Sequence, residues 1–204
     1  MIALIDYGAG NIQSVIKALE YIGCDDICVT SDKSVLASAD AAILPGVGSF
    51  GHAMECLNNS GLTDAVKEFI AADKPFLGIC LGLQMLFEES EESPGVQGLG
   101  VLKGKISLIP CDYGMDLKIP HIGWNSLDIK KPDGIFKDIP NDAYVYFVHS
   151  YYLKADDENI VTATTEYGVH IHASVEKENV FACQFHPEKS SDVGLHILKN
   201  FVEL

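Results

Sequence analysis

At 204 residues, with 48% hydrophobic content and a mean hydropathy of +0.15, the chain suits one sizeable core and reads as a single domain over residues 1–204. A formal net charge of −15 argues against nucleic acid, whose phosphates it would repel, and since all 14 basic residues are lysines no guanidinium is present to grip a phosphate in bidentate fashion. The start, MIALIDYGAG, lacks a basic leader, no run reaches the ~20 apolar residues of a membrane span, and Cys24, Cys28, Cys56, Cys80, Cys111 and Cys183 form neither a CxxC pair nor a zinc spacing. The expectation is a soluble cytoplasmic protein with free thiols and with no metal, cofactor, nucleic acid or membrane among its partners.

Met1 to Asp6 reads as a buried strand, and Gly8 and Gly10 turn it into a helix from Ile12 to Tyr21 that Gly23 closes. The GAGN run lacks the third glycine of a dinucleotide fingerprint. Ile27 to Thr30 and Ala41 to Leu44 are further strands, with a short helix at Lys33 to Ala39 between them. Such alternation predicts parallel strands flanked by helices. Leu44 then runs into PGVGSF, where Gly46 and Gly48 leave backbone N–H groups pointing into the crevice at the carboxyl ends of the strands.

The stretch KPFLGICLGLQMLFEE, Lys74 to Glu89, joins an apolar strand, Pro75 to Ile79, to an apolar helix, Leu81 to Phe87, through Cys80. A nucleophilic side chain on a strand-to-helix turn is a nucleophile elbow. A reactive cysteine must be a thiolate, and a free thiol pKa of about 8.5 falls at a helix N-terminus. Gly78 and Gly82 would let the backbone turn tightly and leave the sulfur approachable. The N–H of Leu81 and one from the PGVG loop would form an oxyanion hole.

After the acidic run Glu88 to Glu92 the character changes. Gln97 to Pro110, Ile122 to Ile129, Ala143 to Leu153, Ile160 to Thr165, Val169 to Val175 and Val180 to Phe185 read as strands, predicting an antiparallel second half that extends the sheet. A last amphipathic helix, Asp192 to Leu204, sets Val193, Ile197, Phe201 and Leu204 on one face. The predicted fold is thus α/β, an open mixed and mostly parallel sheet flanked by helices, with an antiparallel β-rich second half.

A thiolate needs a base, and the base an orienter. His52, His170, His172 and His196 read as surface or packing residues, and His170 and His172 lack a third ligand for a metal. His186 follows a strand and stands two residues before Glu188; in an extended segment the two side chains point the same way, and Pro187 restrains the backbone between them.

GICLGLQML around Cys80, with QFHPE at Gln184 to Glu188, resembles the class I glutamine amidotransferases. DYGAGN at Asp6 to Asn11, PGVGSF at Pro45 to Phe50, HIGWN at His121 to Asn125, YFVHSYY at Tyr146 to Tyr152 and HPEKSS at His186 to Ser191 resemble, within that class, the glutaminase subunits of imidazole glycerol phosphate synthase. The resemblance implies that Cys80 attacks the glutamine amide, His186 passes the thiol proton to leaving ammonia, and Glu188 orients the imidazole. It implies oxyanion donors at Val47 and Leu81, and glutamine contacts at Gly46, Gly48, Gln84, Glu92, Ser150 and Tyr151. It also implies a cyclase subunit of (β/α)8 fold as heterodimer partner and ammonia acceptor, met by Asn11, Trp124, Tyr146 and Lys189. Any family contact made through Arg must here be made by Lys or be missing. Two other readings stay open: a paralogous glutaminase feeding another synthase, and a non-catalytic subunit that keeps only the fold.

Overall fold

The computed structural model describes residues 1–110 and 117–204, so Cys111 lies outside the described residues. In chain order the first part holds β1 (Ile2–Ile5), α1 (Ile12–Tyr21), β2 (Ile27–Thr30), α2 (Lys33–Ser38), β3 (Ala41–Gly46), α3 (Phe50–Asn59), α4 (Thr63–Ala71), β4 (Phe76–Cys80) and α5 (Leu81–Met85). Then follow β5 (Glu89–Ser90), β6 (Gly104–Leu108), β7 (His121–Ser126), β8 (Asp128–Ile129), β9 (Tyr144–His149), β10 (Tyr151–Ala155), β11 (Val161–Glu166), β12 (His170–Lys177), β13 (Val180–Cys183) and α6 (Ser191–Val202).

The main sheet runs β2-β1-β3-β4-β13-β12-β11-β8. Its first five strands are parallel and the remaining pairings antiparallel. The parallel strands are short continuous apolar runs because both faces are covered. Alternation along β1 shows how: Ile2 and Leu4 pack with Val15 and Leu19 of α1 and Ile197 and Phe201 of α6, whereas Ala3 and Ile5 belong to the core under α2 to α5. Helices α3 and α4, which the sequence reading passed over, bury Phe50, Met54, Leu57, Val66 and Phe69 in that second core.

Four expectations need correction. The second half only partly extends the sheet, since β5, β6 and β10 form a separate three-stranded sheet and β7 and β9 a two-stranded ribbon. The expected strand Ala143 to Leu153 breaks at Ser150, because β9 pairs with β7 and β10 with β6. The expected helix Leu81 to Phe87 is shorter: Leu86 and Phe87 donate to the carbonyls of Leu83 and Gln84, three residues back, so the last turn tightens. At the C-terminus Leu204 lies beyond α6 and is 57% exposed, while Leu198 and Gly194 join Ile197 and Phe201 on the inner face.

Candidate active site

The site forms at the carboxyl ends of β3 and β4, where open α/β sheets bind ligands. Cys80 ends β4 and sits at the N-terminus of α5 with φ +55°, a left-handed value uncommon for a residue with a side chain. The strain therefore lies on the cysteine itself, and the flanking glycines serve a different purpose from the one expected. A Cβ on Gly82 would stand 2.0 Å from the Leu44 carbonyl oxygen, and one on Gly78 would stand 2.8 Å from that of Gly82. They let α5 lie directly on β3 and β4, which forces the turn at Cys80.

Packing also fixes the stem of the PGVG loop. The Tyr7 hydroxyl donates to the Pro45 carbonyl at 3.0 Å and touches Met85 Sδ at 3.7 Å, and burial raises its phenol well above the usual range, so it stays a donor. Gly46, expected to touch substrate, is buried at the register position opposite Cys80, where a Cβ would meet Leu81 Cβ at 2.8 Å. The loop then turns outward: Val47 is 40% exposed and Gly48 takes φ +98°. Leu81 opens α5, so its N–H has no acceptor within the helix.

His186 and Glu188 are held by a 3-10 turn over Pro187–Lys189 instead of the extended segment expected. The turn brings His186 Nδ1 to 2.8 Å from Glu188 Oε1, with both side chains 2% exposed. Close packing enforces it, since a Cβ on Gly194 of α6 would come within 2.0 Å of the Pro187 carbonyl oxygen. Burial by itself would lower the His186 imidazole; its hydrogen bonds with Cys80 and Glu188 and their negative charges outweigh that and raise it to about 10. The imidazolium form of His186 is thereby favoured. Among the described residues Glu188 Oε2 has no hydrogen-bond partner.

A cavity of about 390 Å³ opens over Cys80 and His186. Val47, Gly48, Leu81, Gln84, Glu92, Ser150 and Tyr151 line it, so every residue expected to hold glutamine or its oxyanion is there except Gly46. Glu92 Oε2 also accepts from the Phe50 N–H at 2.7 Å, which ties the start of α3 to the site. Lys189, expected at the partner interface, lines this cavity too.

The other expected interface residues lie on the β7–β9 ribbon and at the start of α1. Trp124 and Tyr146 are opposite one another in the β7–β9 ribbon with ring centroids 6.1 Å apart, and Trp124 is 52% exposed. Asn11 caps α1, accepting from the Ser14 N–H at 3.4 Å. A second, shallower cavity of about 490 Å³ joins Ser14, Lys17, Tyr21, Trp124, Glu188 and Lys189, so this face reaches the back of the His186–Glu188 pair.

Sequence reasoning assigned no role to Gln184 or His149, although both stand in the quoted blocks. Gln184 is fully buried with Nε2 at 3.6 Å from Cys80 Sγ. His149 lines the cavity, with Nδ1 at 2.9 Å from the Tyr151 carbonyl and Nε2 at 3.2 Å from His121 Nδ1. The available signal was spacing, since Gln184 precedes His186 by two. The remaining histidines stay apart from the site: His52 lies against Cys56 in α3, and His172 Nδ1 accepts from the Ala155 N–H. Among the described residues no group of three His, Cys, Asp or Glu side chains is arranged to hold a metal ion, and no helix is long and apolar enough to cross a membrane.

A strained cysteine at an elbow with a buried His–Glu pair beside it suits an amidotransferase-type site, and the family model "Glutamine amidotransferase class-I" matches residues 3–204. The chain belongs to that family. Solved structures agree on the fold: a chain in the structure of PurLQS from Thermotoga maritima has a TM-score of 0.74 at 20% identity, covering 99% of this chain and 97% of that one. The glutaminase domain of Trypanosoma brucei CTPS gives 0.67 at 19% identity, covering 99% and 93%. Sequence relatives narrow the family. Imidazole glycerol phosphate synthase subunit HisH of Caldanaerobacter subterraneus subsp. tengcongensis is 50% identical, covering 100% of this chain and 98% of the relative. HisH of Aquifex aeolicus is 48% identical, covering 97% and 94%, and HisH of Methanocaldococcus jannaschii is 48% identical over the whole of both chains. Within the class I enzymes the chain belongs to the HisH family, the glutamine amidotransferase subunits of imidazole glycerol phosphate synthase in histidine biosynthesis.

Proposed function

We propose that residues 1–204 act in the cytoplasm as one glutaminase domain whose ammonia passes to a cyclase subunit bound on the Trp124 face, and that Cys80, His186 and Glu188 do the chemistry. The carrying observation is the left-handed Cys80 at the mouth of α5, with the buried His186–Glu188 pair beside it. The Cys80 thiolate attacks the side-chain carbonyl of glutamine, and the oxyanion that forms is met by the N–H groups of Val47 and Leu81. His186, held as imidazolium, donates its proton to the departing ammonia. It then takes a proton from the water that hydrolyses the glutamyl thioester, and collapse of the tetrahedral species releases glutamate, its acid proton passing to solvent, and restores the thiolate–imidazolium pair. Glu188 fixes the imidazole orientation through Nδ1. Gly48, Gln84, Glu92, Ser150 and Tyr151 hold the rest of the glutamine, and Asn11, Trp124, Tyr146 and Lys189 meet the cyclase.

The test is glutamate release by the isolated chain and by its complex with the cyclase subunit and its ligand. The expected result is little hydrolysis alone, strong stimulation in the complex, and none with Cys80→Ala. Full activity of Cys80→Ala, or no mass change at Cys80 when the complex meets a glutamine chloroketone, overturns the proposal.

A further inference from the structure

The Cys80 sulfur has a buried polar neighbour that does not belong to the triad. Gln184 follows β13, and because β13 pairs in parallel with β4, Cys183 sits opposite Ile79 and Gln184 beside the nucleophile. Its side chain is 0% exposed and lies between two groups: Gln84 Nε2 is 3.0 Å from its Oε1, and Cys80 Sγ is 3.6 Å from its Nε2.

The direction of these bonds follows from one atom. The Tyr151 backbone carbonyl can only accept, so the Gln84 group 3.1 Å from it must be the amide NH2. That NH2 also faces Gln184, whose facing atom must then be its carbonyl oxygen, which leaves the Gln184 NH2 directed at the sulfur. The same Tyr151 carbonyl requires His149 Nδ1 to carry a proton, so His149 Nε2 accepts and His121 Nδ1 donates to it. With both imidazoles neutral, as their burial favours, this assignment satisfies every group. The chain of bonds thus ends in an N–H donor at the one atom that must become an anion.

We propose that Gln184 is a further catalytic residue, donating an N–H to Cys80 Sγ, stabilising the thiolate and aiming it into the glutamine cavity. His186 then need not hold the sulfur by itself, and remains free to swing its proton toward leaving ammonia while the Gln184 amide still faces the sulfur. Gln184 is fixed in turn by Gln84, so glutamine seated against Gln84 and the donor on the nucleophile share one amide-to-amide contact. This inference rests on Cys80 being the nucleophile.

The test reads the sulfur separately from turnover. Iodoacetamide alkylation of Cys80 is followed by peptide mass spectrometry across pH in the isolated chain, which separates it from the half-buried Cys24, Cys28 and Cys56. Gln184→Leu removes the donor at similar volume; Gln184→Glu keeps the shape and sets a carboxyl oxygen against the sulfur. The expected result is about tenfold slower alkylation of Cys80 at neutral pH in Gln184→Leu, with the profile displaced about one pH unit upward, and a larger displacement in Gln184→Glu. In the cyclase complex kcat should fall by a similar factor, with KM changing less. Unmoved profiles in both variants would reduce Gln184 to a packing residue and overturn the proposal. If Gln184→Leu does not fold, the isosteric Gln184→Glu decides alone. Absence of hydrolysis by the unmodified complex would overturn the glutaminase reading and leave the alkylation result standing.

Discussion

The elbow and the β7–β9 ribbon meet at one candidate active site and are built in opposite ways. Around Cys80 the backbone of α5 lies on β3 and β4 so closely that Gly78 and Gly82 admit no methyl group, and all five α5 residues are buried. The ribbon has one face in the core, with Val145 and Phe147, and presents Ile122, Trp124 and Tyr144 to solvent. Yet the ribbon holds His186: its N–H donates to the Tyr146 carbonyl at 2.9 Å, and the Ser190 hydroxyl donates to the His186 carbonyl at 2.6 Å while accepting from the Tyr146 N–H at 2.9 Å. The proposed nucleophile is therefore set by packing, whereas the proposed base is attached to a surface available to another protein. A partner seated on Trp124 would act on the His186 side of the site and leave the elbow unchanged.

The comparison can be broken most severely at the elbow. Cys80→Ala should lower glutamine hydrolysis in the cyclase complex by at least about a thousandfold while circular dichroism stays unchanged, since only the sulfur is lost. Glu188→Gln should cost on the order of a hundredfold or more in kcat, because a neutral amide no longer stabilises the imidazolium. Gly82→Ala tests packing itself: with Leu44 O in its way, the new methyl should destabilise the fold by about 2–4 kcal/mol in urea titrations. On the ribbon, Trp124→Ala should weaken cyclase binding by about thirtyfold, the ~2 kcal/mol of an aromatic anchor, with no change in the melting temperature of the free chain. An equal effect on melting would mean that Trp124 is part of the core and not a docking side chain.

The smallest effects are in pH. His186 in the folded chain holds its proton up to about 10, whereas an unfolded imidazole loses it near 6.5. Its stabilisation is thus complete below about pH 6.5 and disappears as pH rises through about 10, and turnover should fall over the same alkaline range. His121 and His149 act in the other direction, since burial lowers both to about 4. The unfolded chain binds their protons first, so stability should decline as pH falls from about 6.5 toward 4. Thermal melts of a His121→Asn, His149→Asn double variant should show a shallower acid decline than the parent; an identical decline would refute that assignment.

Several elements were legible because local chemistry specifies them. Helix α1 runs from Ile12 to Tyr21 and ends before Gly23 as expected, and the strands of the parallel half are apolar runs between turn residues. The elbow was legible as a strand, a cysteine and a helix. The reason for its glycines was not, because the Leu44 carbonyl that excludes a methyl group from Gly82 lies far away in the chain. Likewise the His186–Glu188 contact was expected from an extended spacing and is made by a 3-10 turn, which the packing of Gly194 against Pro187 requires.

By itself, then, the sequence determined the residue types and the order of the chemistry: a cysteine at a strand end, then a histidine two residues before a glutamate, and a surface without arginine. Those are properties of neighbouring residues and of composition. Tertiary structure alone decided that β13 lies beside β4, that Gln184 therefore faces the Cys80 sulfur, and that Ala143 to Leu153 divides between a ribbon and a second sheet. Strand pairing joins residues that are distant in the chain, and only the global packing of both sheet faces selects among the pairings that local pattern allows.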